Sequence, residues 1–156
     1  MKVRLLPTGH NSLRRYCFVT SFVINDVVAL DAGALGHSLS LEEQIRIRHV
    51  FLTHSHIDHI ASLPLFLENV YQTHDECVTV HASQAVLSAL QQHLFNGVIW
   101  PDFIQMSQGS EPFLRLQTLE PGRSLQVEGL TVTPVAVTHP VPTMGFLIDD
   151  RAAAGG

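Results

Sequence analysis

Three histidines and an aspartate fall within six positions of one stretch, His54-Ser55-His56-Ile57-Asp58-His59. Imidazole nitrogen and carboxylate oxygen are donors that suit zinc, and also iron, manganese or nickel. His54 and His56 stand two apart, and in extended backbone that spacing puts both imidazoles on one side. Asp58 and His59 follow at once, where the pattern turns helical, and Asp58 is of a type that caps a helix. A strand end, a tight turn and a helix start can therefore aim four ligands into one small volume. A lone histidine among the ten of this chain reads as a satisfied or solvated side chain. Four candidate ligands in this order read as a metal site.

The elements that must position these groups are legible on both sides. An apolar run over 49–53 brings the backbone in as a strand. A helix over 58–74 carries it away, with Ile60, Leu63, Leu67 and Val70 on one stripe and Pro64 marking a kink or a late start. Upstream, 3–6 reads as a strand and 8–12 as a polar loop. Segments 18–24 and 27–30 read as a hairpin joined at Asn25-Asp26. That hairpin ends in Asp31-Ala32-Gly33, where the glycine permits a sharp exit. Ser40-Leu41-Glu42-Glu43 is a capping box that opens a short helix. Downstream, 78–82 reads as a strand, Ser83 caps a helix to about residue 95, and 113–119, 124–127, 130–137 and 145–148 read as strands joined in hairpins. His139 lies on a stiff polar loop over 138–142. A strand-rich start, then βα alternation, then hairpins predicts an α+β fold with helices on one face of a sheet.

Residues 1–156 are enough for one domain, but only 15% of them are charged and 46% are hydrophobic. An ordinary soluble domain carries roughly 25% charged residues. The chain is short of material to cover a surface, so it buries area in a partner or belongs to a larger core. A net charge of −5 shows no nucleic-acid footprint, although a bound metal would reverse the local potential and admit an anionic substrate. Cys17 and Cys77 do not make a disulfide framework. The N-terminus lacks the apolar block of a signal peptide, and no apolar run approaches the ~20 residues of a spanning helix. A cytoplasmic protein is expected.

The order His-x-His-x-Asp-His resembles the metal motif of the metallo-β-lactamase superfamily. Leu30-Asp31-Ala32-Gly33 resembles that superfamily's aspartate at the end of an early strand, which implies that Asp31 orients the ligand loop through hydrogen bonds. His139, in Val137-Thr138-His139-Pro140, resembles its next metal histidine, 80 positions after His59. Within the superfamily, His54 to Ser62 and the stretch Val98-Ile99-Trp100-Pro101-Asp102-Phe103 look most like class II cyclic-nucleotide phosphodiesterases.

The resemblance implies an αββα sandwich and a site for two zinc ions, with manganese or iron as alternatives. His54, His56 and His139 would hold one metal. Asp58 and His59 would hold half of a second site, with general base as the other role for Asp58. The implied reaction opens a 3′,5′-cyclic nucleotide such as cyclic AMP to the monophosphate. Expected partners are that small molecule and a second copy in a homodimer, with neither nucleic acid nor a membrane. Trp100 and Phe103 read as core or interface aromatics, or as a stack for a purine base. The superfamily next supplies a bridging aspartate and a last histidine. After His139 only Asp149 and Asp150 are acidic, and neither is equated with the bridge. The chain is thus expected to hold the N-terminal two-thirds of the fold. The other readings are an RNA-processing phosphodiesterase, a thioesterase of the same fold, or a metal-binding fragment without turnover. His10, His37, His49, His74, His81 and His93 are expected to be structural or solvated, with His10 and His37, in loops bordering the site, the expected exceptions.

Overall fold

The computed structural model describes residues 1–6, 19–71, 77–109 and 111–150. The expected polar loop over 8–12, His10, Cys17, His74 and the small-residue end at 151–156 lie outside the described residues. Strands β1 (Val3–Leu5), β2 (Phe22–Ile24), β3 (Val28–Leu30), β4 (His49–Phe51), β5 (Val78–Ala82) and β6 (Leu114–Thr118) lie side by side in that order. The first three are antiparallel neighbours, and β3 to β6 run parallel. Strands β7 (Leu125–Val127), β8 (Leu130–Val137) and β9 (Thr143–Asp149) make a second, antiparallel sheet.

Local chemistry explains the turns. Asn25 and Asp26 sit in the left-handed region at φ +50° and +61°, turning the chain tightly enough for the Val27 amide to donate to the Ile24 carbonyl (3.2 Å) before Val28 pairs back with Ile24. Parallel strands need crossovers, and the helices supply them. α1 (Leu35–Ser38) and α2 (Leu41–Gln44) link β3 to β4; α3 (Ile57–Ile60) and α4 (Leu63–Val70) link β4 to β5; α5 (Gln84–His93) and α6 (Phe103–Met106) link β5 to β6. The capping box at Ser40 and Glu43 is formed in full, and Ser83 accepts from the Val86 amide.

Two cores result. Leu63, Phe66, Leu67 and Val70 of α4 and Val86, Leu87 and Leu90 of α5 bury against Val23, Ala29, Val50 and Val80 on one face of the first sheet. On its other face, Ile24, Val28 and Phe51 meet Leu119, Val127, Leu130, Val132 and Met144. The layers are therefore helix, sheet, sheet. No helix among the described residues follows β6, and none is long and apolar enough to cross a membrane.

Three local expectations need correction. The segment around 113–119 is not part of the hairpins: β6 pairs parallel with β5, Val80 opposite Leu116. Strand periodicity names the buried face but not the neighbour, and the Pro121-Gly122 turn, with Gly122 at φ +81°, lets the chain leave for the second sheet. The single helix over 58–74 is two helices. Ser62 breaks it, because its hydroxyl donates to the Ala32 carbonyl (2.7 Å) and accepts from the Gly36 amide (2.9 Å), and Pro64 falls in the first turn of α4. Finally, Asp58 is not the helix cap. His56 holds that position and Asp58 lies in the first turn.

Candidate metal centre

β3 and β4 end side by side, Leu30 opposite Phe51, and the groups of interest leave from those two ends. Asp31 turns the chain in the left-handed region at φ +58°, and its amide donates to the Phe51 carbonyl (2.8 Å). The sharp exit expected at Gly33 is therefore made at Asp31. Gly33 serves a different need: a Cβ there would stand 2.0 Å from the Asp58 carbonyl oxygen and 2.7 Å from the Thr20 nitrogen. That closeness lets the Thr20 amide reach the Asp58 carbonyl (2.8 Å) and the Ala32 amide reach the His59 carbonyl (2.7 Å). The Asp31 loop and the Asp58-His59 turn are thus stitched together by backbone.

Asp31 is 2% exposed, and its carboxylate is occupied on both oxygens. Oδ1 accepts from the Thr53 amide (2.8 Å). The Thr53 hydroxyl lies 3.0 Å from each oxygen. Oδ2 faces His59 Nδ1 at 2.7 Å. Such a carboxylate–histidine contact fixes the ring so that Nε2 points away from the carboxylate, and it raises ligand basicity. The Asp31 hydrogen bond pushes the His59 pKa up, against the opposing effect of burial. His59 Nε2 in turn faces Asp58 Oδ2 at 3.4 Å.

His54, His56 and His139 converge. One nitrogen from each lies within 4.8 Å of the others. His54 Nε2 is 3.1 Å from His56 Nδ1, and His139 Nε2 is 3.5 Å from the same atom. Two metal–nitrogen bonds of ~2.05 Å at a tetrahedral angle separate their nitrogens by about 3.3 Å, so the donor set fits one divalent ion. His54 is buried, whereas His56 and His139 are exposed, leaving one side open to solvent or substrate. Burial, followed by the neighbouring His59, His56 and His139 rings, pushes the His54 pKa down. That favours the neutral imidazole a metal needs. His139 is held in place from its own strand pair: the Met144 amide at the start of β9 donates to the Thr53 carbonyl (3.0 Å).

The other residues fall elsewhere. Asp149 ends β9. Asp150 binds the N-terminal ammonium of Met1 (2.9 Å) and Asn25 (3.3 Å), at the far end of a strand that begins beside Thr53. Phe103 is core, ring to ring with Phe95, Tyr71 and Phe113, and Trp100 packs against the same core. His37 and His93 are exposed. His49 and His81 form a pair inside the sandwich: Nδ1 of His49 faces Nε2 of His81 at 2.9 Å, and His81 stacks on Phe51. Sequence reasoning assigned no role to Thr53, which touches Asp31, His54 and His59. Its signal was a hydroxyl residue at the strand end directly before the first histidine.

A family profile described as "Beta-lactamase superfamily domain" matches residues 23–155. The chain belongs to the metallo-β-lactamase superfamily. Its fold accords with that of the superfamily: the structure of unliganded yeast PDE1 superposes with a TM-score of 0.67 at 17% identity, over 97% of this chain and 62% of that one. A ribonuclease Z of Limosilactobacillus fermentum is 26% identical over 99% of this chain and 51% of its own length. A 3′,5′-cyclic-nucleotide phosphodiesterase of Candida albicans is 28% identical over 60% of this chain and 20% of its own. The chain thus spans about half the length of the ribonuclease Z it matches. The histidine cluster has the donor spacing that one divalent ion takes.

Proposed function

We propose that the chain serves a zinc-dependent phosphodiester hydrolase whose substrate is a 3′,5′-cyclic nucleotide. The observation that carries this reading is the convergence of His54, His56 and His139, backed by the buried Asp31. A divalent metal held there supplies Lewis acidity toward a phosphoryl oxygen and acidifies water. His54, His56 and His139 would hold it, and Asp31 would keep the His59 ring oriented. Asp58, whose carboxylate faces His59 Nε2 at 3.4 Å, would act as a ligand beside His59 or as the group that takes a proton from the attacking water. The exposed side of the cluster, at His56 and His139, admits the phosphate. A cytoplasmic setting belongs to this proposal, since two cysteines make no disulfide framework.

RNA is the second reading, because the ribonuclease Z likeness runs over the whole chain. The acidic balance, 14 Asp and Glu against 9 Lys and Arg, supports the small substrate, since phosphate contacts along RNA draw on Lys and Arg. Zinc-loaded protein offered cyclic AMP, an RNA and a thioester separates these. Preferential opening of the cyclic ester supports the first reading and RNA cleavage the second. Thioester hydrolysis alone would remove both.

A further inference from the structure

Thr53 has one hydroxyl hydrogen and four polar atoms around it. Its Oγ1 lies 3.0 Å from each Asp31 oxygen, 2.9 Å from His54 Nδ1 and 3.3 Å from His59 Nδ1. A carboxylate only accepts, so a hydroxyl wedged against both of its oxygens must spend its hydrogen there. His59 Nδ1 has a shorter contact of its own with Asp31, at 2.7 Å, and its hydrogen goes to the carboxylate. One contact remains, between Thr53 Oγ1 and His54 Nδ1, and the hydroxyl has only lone pairs left for it. His54 must therefore be the donor, with its hydrogen on Nδ1. The opposite tautomer would bring the Nδ1 lone pair, the hydroxyl and two carboxylate oxygens together around a single hydrogen.

We propose that the Thr53 hydroxyl is a positioning group that fixes His54 as the Nδ1–H tautomer, leaving the Nε2 lone pair to face the metal cluster. The consequence is geometric. His54 Nε2 is the ring atom 3.1 Å from His56 Nδ1, and it can bind an ion only if it carries no hydrogen. Asp31 then directs two histidines at once: His59 by direct contact, and His54 through the hydroxyl of Thr53. This relay rests on the metal-site reading above for its purpose, but not for its hydrogen-bond assignment.

Nitrogen-15 spectra of the histidine rings at pH 7.5, without added metal, test the assignment directly. The wild-type spectrum is expected to show His54 protonated at Nδ1. Thr53→Val, which keeps the shape and removes the hydroxyl, is expected to move His54 toward the Nε2–H form and to weaken zinc binding by about 10–100-fold. Thr53→Ser is expected to restore both. A wild-type His54 protonated at Nε2, or a Thr53→Val protein that keeps the Nδ1–H form, would overturn the proposal. The wild-type spectrum needs no variant, so it decides the tautomer even if Thr53→Val does not fold. Wild-type protein with the expected tautomer but no zinc binding would refute the metal-positioning role and the metal site together, and would leave only the hydrogen bond.

Discussion

His139 Nε2 lies 3.5 Å from His56 Nδ1, although 83 positions separate the two residues. The approach depends on the second sheet. β8 delivers the loop that carries His139, and the Met144 amide beyond that loop is bonded to the Thr53 carbonyl, one residue before His54. The site is therefore assembled across both layers of the sandwich, and its integrity reports on their docking.

Metal content follows from that geometry. The described residues bring one group of three histidines together, whereas Asp58 and His59 offer only two protein ligands for a second ion. Zinc takes three protein ligands and a water, so about one tightly bound equivalent is expected. His139→Ala should weaken zinc binding by more than the roughly 10–100-fold that loss of a supporting residue costs. His93→Ala, an exposed position on α5, should leave it unchanged. Elemental analysis after dialysis checks both, and two tightly held equivalents would show that further ligands exist.

Asp31→Asn separates orientation from shape. Asparagine keeps its carbonyl for the Thr53 amide but then turns its NH2 group, in the place of Oδ2, toward His59 Nδ1. Burying donor against donor costs about 1–3 kcal/mol, and His59 can relieve it only by moving its hydrogen to Nε2, the atom that faces Asp58. The expected outcome is a modest fall in urea midpoint, together with loss of any ion held by Asp58 and His59. Unfolding and metal titration on the same sample distinguish the two effects.

Gly33→Ala should be more damaging than its size suggests. The added methyl would lie 2.0 Å from the Asp58 carbonyl oxygen, a backbone atom that cannot swing aside. Forced overpacking costs about 1–3 kcal/mol, occasionally more. The expected relief is separation of the Asp31 loop from the Asp58-His59 turn. A lower urea midpoint accompanied by weaker metal binding is the expected pair of readouts, whereas a wild-type midpoint would mean that the two loops are free to part.

Stability should fall with acidification before the carboxylates titrate. His81 is 1% exposed. Burial, aided by His49, pushes its pKa from 6.5 down to about 3. The unfolded chain takes up this proton near pH 6.5 and the folded protein does not. The contribution is therefore fully present above pH 6.5 and declines as pH falls toward 3. The slope from one such group is at most ~1.4 kcal/mol per pH unit. His49 is shifted the same way by burial, and His59 the opposite way by Asp31. His81→Phe keeps a ring to stack on Phe51 and removes the proton site. Urea midpoints at pH 7, 6 and 5 should fall less steeply for that variant, and parallel slopes would exclude His81 as the source.

Much of the site could be read from spacing, because its parts are local. His54 and His56 lie two positions apart, so alternation suffices to bring their rings together, whereas His139 joins them only through the second sheet. The hairpin at Asn25-Asp26 and the caps at Ser40 and Ser83 were legible for the same reason: each is settled among residues no more than three positions apart. The tertiary structure decided the rest. Strand β6 joined β5 in the first sheet rather than β7, the strand that follows it, because burial pattern does not name a partner. Gly33 proved necessary for the approach of Asp58, 25 positions on, a contact no local rule contains. Thr53 acquired its role only when β3 placed Asp31 beside it, since one hydroxyl hydrogen has no fixed destination until its acceptors are in place.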